Sequence, residues 1–226
     1  MKTKKKTEKK SKKESPLVIS YLSLRKVIGV LGTALPFIVS LGALSIFRTG
    51  IQSSISSYYY TGMRDVFVGT LFAIGFFLFS YKGYERADGI AGKAAFAFAL
   101  GVALFPTTPD GDVSQTAKII GGLHLFFAAL FFLTLSYFSL FLFTKTNSSG
   151  IPPMTIRKMQ RNNVYRICGG VMVTCILLMG IHQLLPDGIK SSLDAFSPIY
   201  WLEAIAIVAF GISWLTKGEA ILKDEG

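Results

Sequence analysis

Long apolar runs recur along this chain, and they restrict its fold more than any other feature. The 226-residue sequence is 51% hydrophobic with 19 phenylalanines, whereas charged residues make up only 16% and cluster between the runs. A helix rises 1.5 Å per residue, so about 20 apolar residues cross a hydrocarbon core about 30 Å thick. The sequence therefore predicts an all-α, polytopic membrane helix bundle.

Six transmembrane helices are predicted, and they divide the chain into a membrane domain with two tails. The spans cover about 27–47, 65–81, 90–105, 119–143, 167–185 and 199–215. Residues 21–217 form the membrane domain, and 218–226 form a short cytoplasmic tail. Residues 1–20 are predicted to be a disordered cytoplasmic tail, because eight lysines lie among the first 13 residues.

The distribution of basic residues predicts the orientation of the bundle. The lysine tail and most other basic residues lie on one side of the predicted bundle. The turns on the opposite side carry Arg48, Arg64, Lys118 and Lys190. An even number of spans puts both termini on one side, and the positive-inside rule makes that side cytoplasmic. The tail is interpreted as a topology anchor, with contact to anionic lipids as the alternative. These two roles explain the net charge of +11, so no nucleic-acid partner is predicted.

The third predicted span carries a stripe of small residues. Ala91, Ala95, Ala99 and Ala103 recur at every fourth position. Small residues let helix backbones approach closely in lipid, so this span is predicted to lie centrally in the bundle.

One polar and aromatic segment, Ser53–Gly69, separates the first two apolar runs. It reads SSISSYYYTGMRDVFVG and ends against the second span. We predict that it forms the rim of an outward-facing ligand site, in which Tyr58, Tyr59, Tyr60, Arg64 and Asp65 are candidate binding residues. An interfacial aromatic belt and an Arg64–Asp65 ion pair that caps the span are the alternatives.

Three further candidates lie in the outer third of the predicted spans: His124, His182 and Glu203. Ionisable groups at membrane depth are costly, so they usually face a cavity or one another. They are predicted to line a polar ligand pocket without a cofactor. The alternative is a zinc site, in which His124, His182 and Asp65 ligate the ion and Glu203 acts as general base.

Three segments resemble the signature of a bacterial membrane-protein family. They are SISSYYYTGMRDVFVG (54–69), ALFPTTPDG (103–111) and RNNVYRICGG (161–170). With the six-span layout, they make the chain similar to DRAM/Frag/Sfk-type proteins and related bacterial families, which implies a lipid-linked or regulatory role. The chain also resembles the CREST membrane hydrolases, but those have seven spans and a metal held by three histidines, whereas this chain has two histidines.

Together these features predict a non-enzymatic, multi-pass protein of the bacterial inner (cytoplasmic) membrane. It would bind a lipid or small amphiphile in a pocket between spans 2, 4, 5 and 6, where Arg64 would hold an anionic headgroup. A metal-dependent membrane hydrolase is the alternative function, and a small transporter is the third. Membrane lipids are the predicted partners, and the oligomeric state stays open.

Overall fold

The computed structural model describes residues 21–83, 85–145 and 155–223, and these parts of the chain are all-helical. The helices are α1 (Tyr21–Ser45), α2 (Arg64–Phe79), α3 (Arg86–Leu104), α4 (Gln115–Tyr137), α5 (Ile156–Gln183), α6 (Asp187–Asp194) and α7 (Pro198–Lys217). A 3₁₀ helix, Ser56–Tyr60, precedes α2, and a π-helical turn, Phe138–Leu142, extends α4. The predicted disordered tail, 1–20, lies outside the described residues.

Within the described residues, five helices are long and apolar enough to cross a membrane: α1, α3, α4 with its π turn, α5 and α7. They indicate a multi-pass membrane protein, as the sequence predicts. The remaining predicted span, 65–81, corresponds to α2. This helix has 16 residues, which rise about 24 Å and fall short of a hydrocarbon core of about 30 Å.

Two boundaries differ from the prediction. Helix α5 begins at Ile156, well before the predicted start at 167, because Thr155 caps it by accepting a hydrogen bond from Lys158 N at 3.2 Å. The predicted loop after α5 contains the helix α6, none of whose residues is buried. Hydropathy marks spans that cross lipid, so it identified neither the polar start of α5 nor this short surface helix.

Contacts between the helix ends define two ends of the bundle. At the first, Glu219 lies 3.9 Å from Arg161, and Lys145 Nζ lies 2.6 Å from Glu85 Oε2. We call it the basic end, since α1 and α5 begin there and α7 ends there. At the opposite end, Tyr200 N donates a hydrogen bond to Ser53 O at 3.1 Å. We call that one the loop end, because it carries the segment between α1 and α2.

Helices α1 and α7 pack with their backbones in contact. A Cβ added to Gly211 would lie 2.6 Å from Thr33 N and 2.8 Å from Gly29 O. Glycine at this crossing lets the two helices approach closely, as is common where lipid surrounds a bundle. The same close approach brings Tyr200 and Glu203 of α7 towards the segment that follows α1.

The alanine stripe of α3 is buried, which agrees with the predicted central position. Ala95 and Ala99 are fully buried, and Ala91 and Ala103 are at most 7% exposed. Next to this stripe, a Cβ added to Gly92 would lie 2.5 Å from Leu78 O of α2. Small side chains therefore set the distance between α2 and α3.

The crossing of α1 and α7 gives a test of the packing. Gly211→Ala places a methyl group against the backbone of α1, so we expect the free energy of unfolding to fall by about 1–3 kcal/mol. Gly180→Ala is the matched control, since a Cβ there meets nothing within 4 Å and alanine favours a helix over glycine by about 1 kcal/mol. Thermal unfolding in detergent compares them. Equal midpoints for the two variants would contradict the close approach.

Candidate functional site

The segment between α1 and α2 folds into the bundle. Its 3₁₀ helix, Ser56–Tyr60, buries Tyr58 completely, and Ile55 just before it is 1% exposed. Ser54 Oγ accepts a hydrogen bond from Ser57 N at 2.9 Å, which forms the turn that starts this helix. Tyr58, predicted as part of a rim, is therefore a core residue, whereas Tyr60 is exposed.

Glu203 of α7 holds the start of the 3₁₀ helix. Its Oε2 accepts hydrogen bonds from Ile55 N at 2.6 Å and Ser56 N at 3.2 Å, and Ser56 Oγ lies 3.4 Å from Oε1. The first amides of a helix have no partner within it, and a carboxylate satisfies them well. Glu203 is only 9% exposed, so we assign it as a clamp between α7 and the loop end.

A second link joins this segment to α1 and α7 through three hydroxyl groups. Tyr58 Oη donates to Ser40 Oγ at 3.2 Å, and Ser40 Oγ lies 2.7 Å from Tyr200 Oη. Ser40 also donates to Pro36 O at 2.7 Å. Because a hydroxyl has one proton, Ser40 then accepts from both tyrosines, which leaves the Tyr200 oxygen able to accept another hydrogen bond. Sequence reasoning missed Ser40 and Tyr200.

The other predicted rim residues take no part in this link. Arg64 Nη2 donates to Tyr59 Oη at 2.7 Å, and its Cζ lies 4.3 Å from the Tyr59 ring centroid. Tyr60 Oη donates to Thr107 O at 2.6 Å. Partial burial, assisted by Tyr59, raises the pKa of the Tyr60 hydroxyl, which keeps the donating proton in place. Asp65 is exposed in the first turn of α2, where a negative charge suits a helix N-terminus.

The two histidines have separate partners. His124 of α4 is 1% exposed, and its Nδ1 lies 2.7 Å from Phe105 O at the end of α3. His182 of α5 is 5% exposed, and its Nε2 lies 3.1 Å from Asp194 Oδ1 of α6. His124 therefore connects α4 to the end of α3, whereas His182 lies beside α6.

The candidate zinc ligands do not come together. In the parts of the chain that the structure describes, no three His, Cys, Asp or Glu residues form a group that could hold a metal ion. His124 lies against Phe105, His182 against Asp194, and Asp65 at the surface. The arrangement does not favour the hydrolase alternative, whose mechanism needs these side chains around one ion.

A small cavity lies behind the Glu203 clamp. It has a volume of about 40 Å³, and its walls are apolar except for Ser56 and Glu203. A water molecule needs roughly 10–15 Å³ of such space. The cavity is therefore large enough for a few waters and too small for a lipid.

A much larger groove opens between α1, α5 and α7. It has a volume of about 510 Å³, and its walls are almost wholly apolar. The hydroxyls of Ser40 and Tyr200 lie at its loop end, and Ile212 lies towards the basic end. The predicted pocket lay instead between α2, α4, α5 and α7, so the groove shares two of those four helices. Neither Arg64 nor either histidine lines it.

The Glu203 clamp can be tested by replacing its carboxylate with an apolar side chain. Glu203→Met leaves the buried amides of Ile55 and Ser56 without an acceptor, so we expect a loss of about 1–3 kcal/mol of stability. Hydrogen exchange of residues 54–60 should accelerate in this variant. Asp112→Asn, which alters an exposed acid at the same end, is the control and should exchange like wild type. Unchanged exchange in Glu203→Met would refute the clamp.

Comparison with known proteins does not assign this chain to a family. The chain matches no protein-family model, no curated protein and no solved structure. The resemblance to DRAM/Frag/Sfk-type proteins therefore stays a prediction.

Proposed function

We propose that this protein is a non-enzymatic integral membrane protein that binds a lipid or another single-chain amphiphile in the groove between α1, α5 and α7. The observation that carries this proposal is an open apolar groove of about 510 Å³ with two linked hydroxyls at one end. Its volume falls in the range of about 300–1,000 Å³ that is usual for ligand sites.

The length of the groove suits an acyl chain. Its lining residues on α7 extend from Tyr200 to Ile212, a rise of about 18 Å. That distance is close to half of a hydrocarbon core of about 30 Å, which is the depth of one leaflet. An acyl chain that lies along α7 would thus cover roughly the depth of one leaflet, beside the exposed side chains of Phe37 and Ile205.

The polar end of the groove favours an uncharged group on the ligand. Tyr200 can accept a hydrogen bond through its remaining lone pairs, so a ligand hydroxyl or amide is the expected donor. No Lys or Arg is among the residues that line the groove. This proposal therefore replaces the anionic headgroup and the role of Arg64 that we predicted from the sequence.

We further propose that α2 also crosses the membrane, which gives six spans in all. The protein would lie in the bacterial inner membrane with both termini cytoplasmic. Support comes from the course of α2, which begins beside the loop-end segment and ends just before Tyr81, whose ring packs on Trp214 near the basic end. The basic residues concentrated at that end favour the cytoplasmic side.

Cysteine labelling tests the orientation. The native Cys168 and Cys175 are buried, so we expect low background from a membrane-impermeant maleimide. Asp112 lies in the turn before α4, at the loop end, so Asp112→Cys should react in intact cells. Lys82 lies in the turn after α2, at the basic end, so Lys82→Cys should react only after the cells are broken. The reverse pattern would contradict the proposed orientation.

Filling the groove tests ligand binding. Ala204→Trp should occupy much of the space beside Tyr200, so the purified protein should lose most of its retained lipid, measured by mass spectrometry after detergent exchange. Ala97→Trp adds the same side chain to an exposed position on α3, outside the groove, and should retain lipid like wild type. Equal retention by the two variants would count against the groove as the binding site.

A further inference from the structure

Helix α6 turns its polar side towards the protein. Lys190 Nζ donates a hydrogen bond to Gln183 Oε1 at 3.2 Å, and Asp194 Oδ1 lies 3.1 Å from His182 Nε2. His182 and Gln183 are the last two residues of α5. Lys190 and Asp194 are four positions apart, so they lie on one side of α6. That side therefore faces the end of α5.

An apolar side of the same helix is left uncovered. Ile189 and Leu193 each come one position before a residue of the polar side, which puts them about 100° away around the helix. Phe196 lies three positions after Leu193, and its amide donates to Leu193 O at 2.9 Å, so it continues the same side. We call Ile189, Leu193 and Phe196 the apolar side of α6, and they are 53%, 40% and 76% exposed. A surface helix of a soluble protein has the reverse arrangement, with its apolar residues on the core.

The apolar side lies at the depth where α5 leaves the hydrocarbon core. The apolar run 167–185 rises about 28 Å as a helix, which is close to the thickness of a hydrocarbon core, about 30 Å. Helix α6 begins at Asp187, just after that run. It therefore lies at the level of the lipid headgroups, at the loop end of the bundle.

The surface of the bundle next to α6 is apolar as well. Ile181 and Leu184, at the end of α5, are exposed, and so is Trp201 near the start of α7. Both helices are long and apolar enough to cross a membrane, and tryptophan is common where spans meet the headgroups. A bilayer around α5 and α7 thus reaches the apolar side of α6 without any further partner.

We propose that α6 is an interfacial helix, which inserts Ile189, Leu193 and Phe196 into the leaflet at the loop end. Helices of this kind bury their apolar side about 5–10 Å into the boundary between headgroups and acyl chains. The contacts of Lys190 and Asp194 with the end of α5 keep α6 against the bundle, so the helix anchors the loop end at one depth in the membrane. This role is independent of the ligand that we propose for the groove.

Fluorescent labelling of the full-length protein in phosphatidylcholine vesicles tests this contact. Leu193→Cys and Ser191→Cys, both at exposed positions of α6, each carry an NBD fluorophore. We expect NBD at 193 to emit at shorter wavelength than in water, with quenching by phospholipids that carry a doxyl group near the headgroup end of the acyl chain. Position 191 lies about 200° around the helix from Ile189, so NBD there should emit as in water, with quenching by iodide. The wild-type chain, whose two cysteines are buried, gives the labelling background.

Removing the apolar side tests whether it anchors the helix. Ile189→Ser combined with Phe196→Ser should abolish most of the doxyl quenching of NBD at 193. Neither side chain is buried in the protein, so the thermal midpoint in detergent should stay that of wild type. Asp187→Ser, at an exposed position in the first turn of α6, is the matched control and should keep the quenching.

The remaining outcomes would overturn the proposal. Equal emission and quenching at positions 193 and 191 would show that α6 does not insert one side into lipid. Quenching of NBD at 193 by iodide would place the apolar side in water. Protection of NBD at 193 from both quenchers, together with a disulfide between two Leu193→Cys chains in dilute vesicles, would assign the apolar side to a second copy of the chain.

Discussion

A single buried carboxylate organises the loop end of this bundle. Removing the Glu203 side chain from water is costly, and the amides of Ile55 and Ser56 offset that cost with hydrogen bonds of 2.6 and 3.2 Å. The bonds hold the 3₁₀ helix in place, and this helix in turn positions Tyr58 against Ser40. One wall of the groove, where Ser40 meets Tyr200, therefore depends on a buried acidic side chain that does not itself line the groove.

Features with a local signature could be predicted from the sequence. The apolar runs predicted the five long helices, and the alanines at every fourth position predicted the buried stripe of α3. Both features depend on residues close together in the chain. The Glu203 clamp joins groups that are 148 residues apart. No short sequence pattern indicates such a contact. The sequence therefore identified Glu203 as a polar residue at membrane depth but did not identify the amides that it binds.

The candidate site was predicted only in part, for a related reason. The two histidines favoured a metal interpretation, yet His124 contacts Phe105 at the end of α3 and His182 contacts Asp194 of α6. Ser40 is an ordinary serine within an apolar helix, and Tyr200 beside Trp201 resembles an interfacial aromatic pair. The three-residue tyrosine run shows the same limit, since Tyr58 is buried and Tyr60 is exposed although nothing in the sequence distinguishes them.

The π-helical turn at the end of α4 fixes the register of that helix. Phe143 N donates to Phe138 O at 2.9 Å, and the two rings, five positions apart, both pack on Trp214. In a regular α-helix a separation of five residues turns by about 140°, which would send the rings in different directions. Helix α4 thus carries one residue more than a regular helix of the same length. Deleting a residue here would restore regular geometry and turn Phe143 away from Trp214, so the packing at this end of the bundle depends on the number of residues in the turn as well as on their identity.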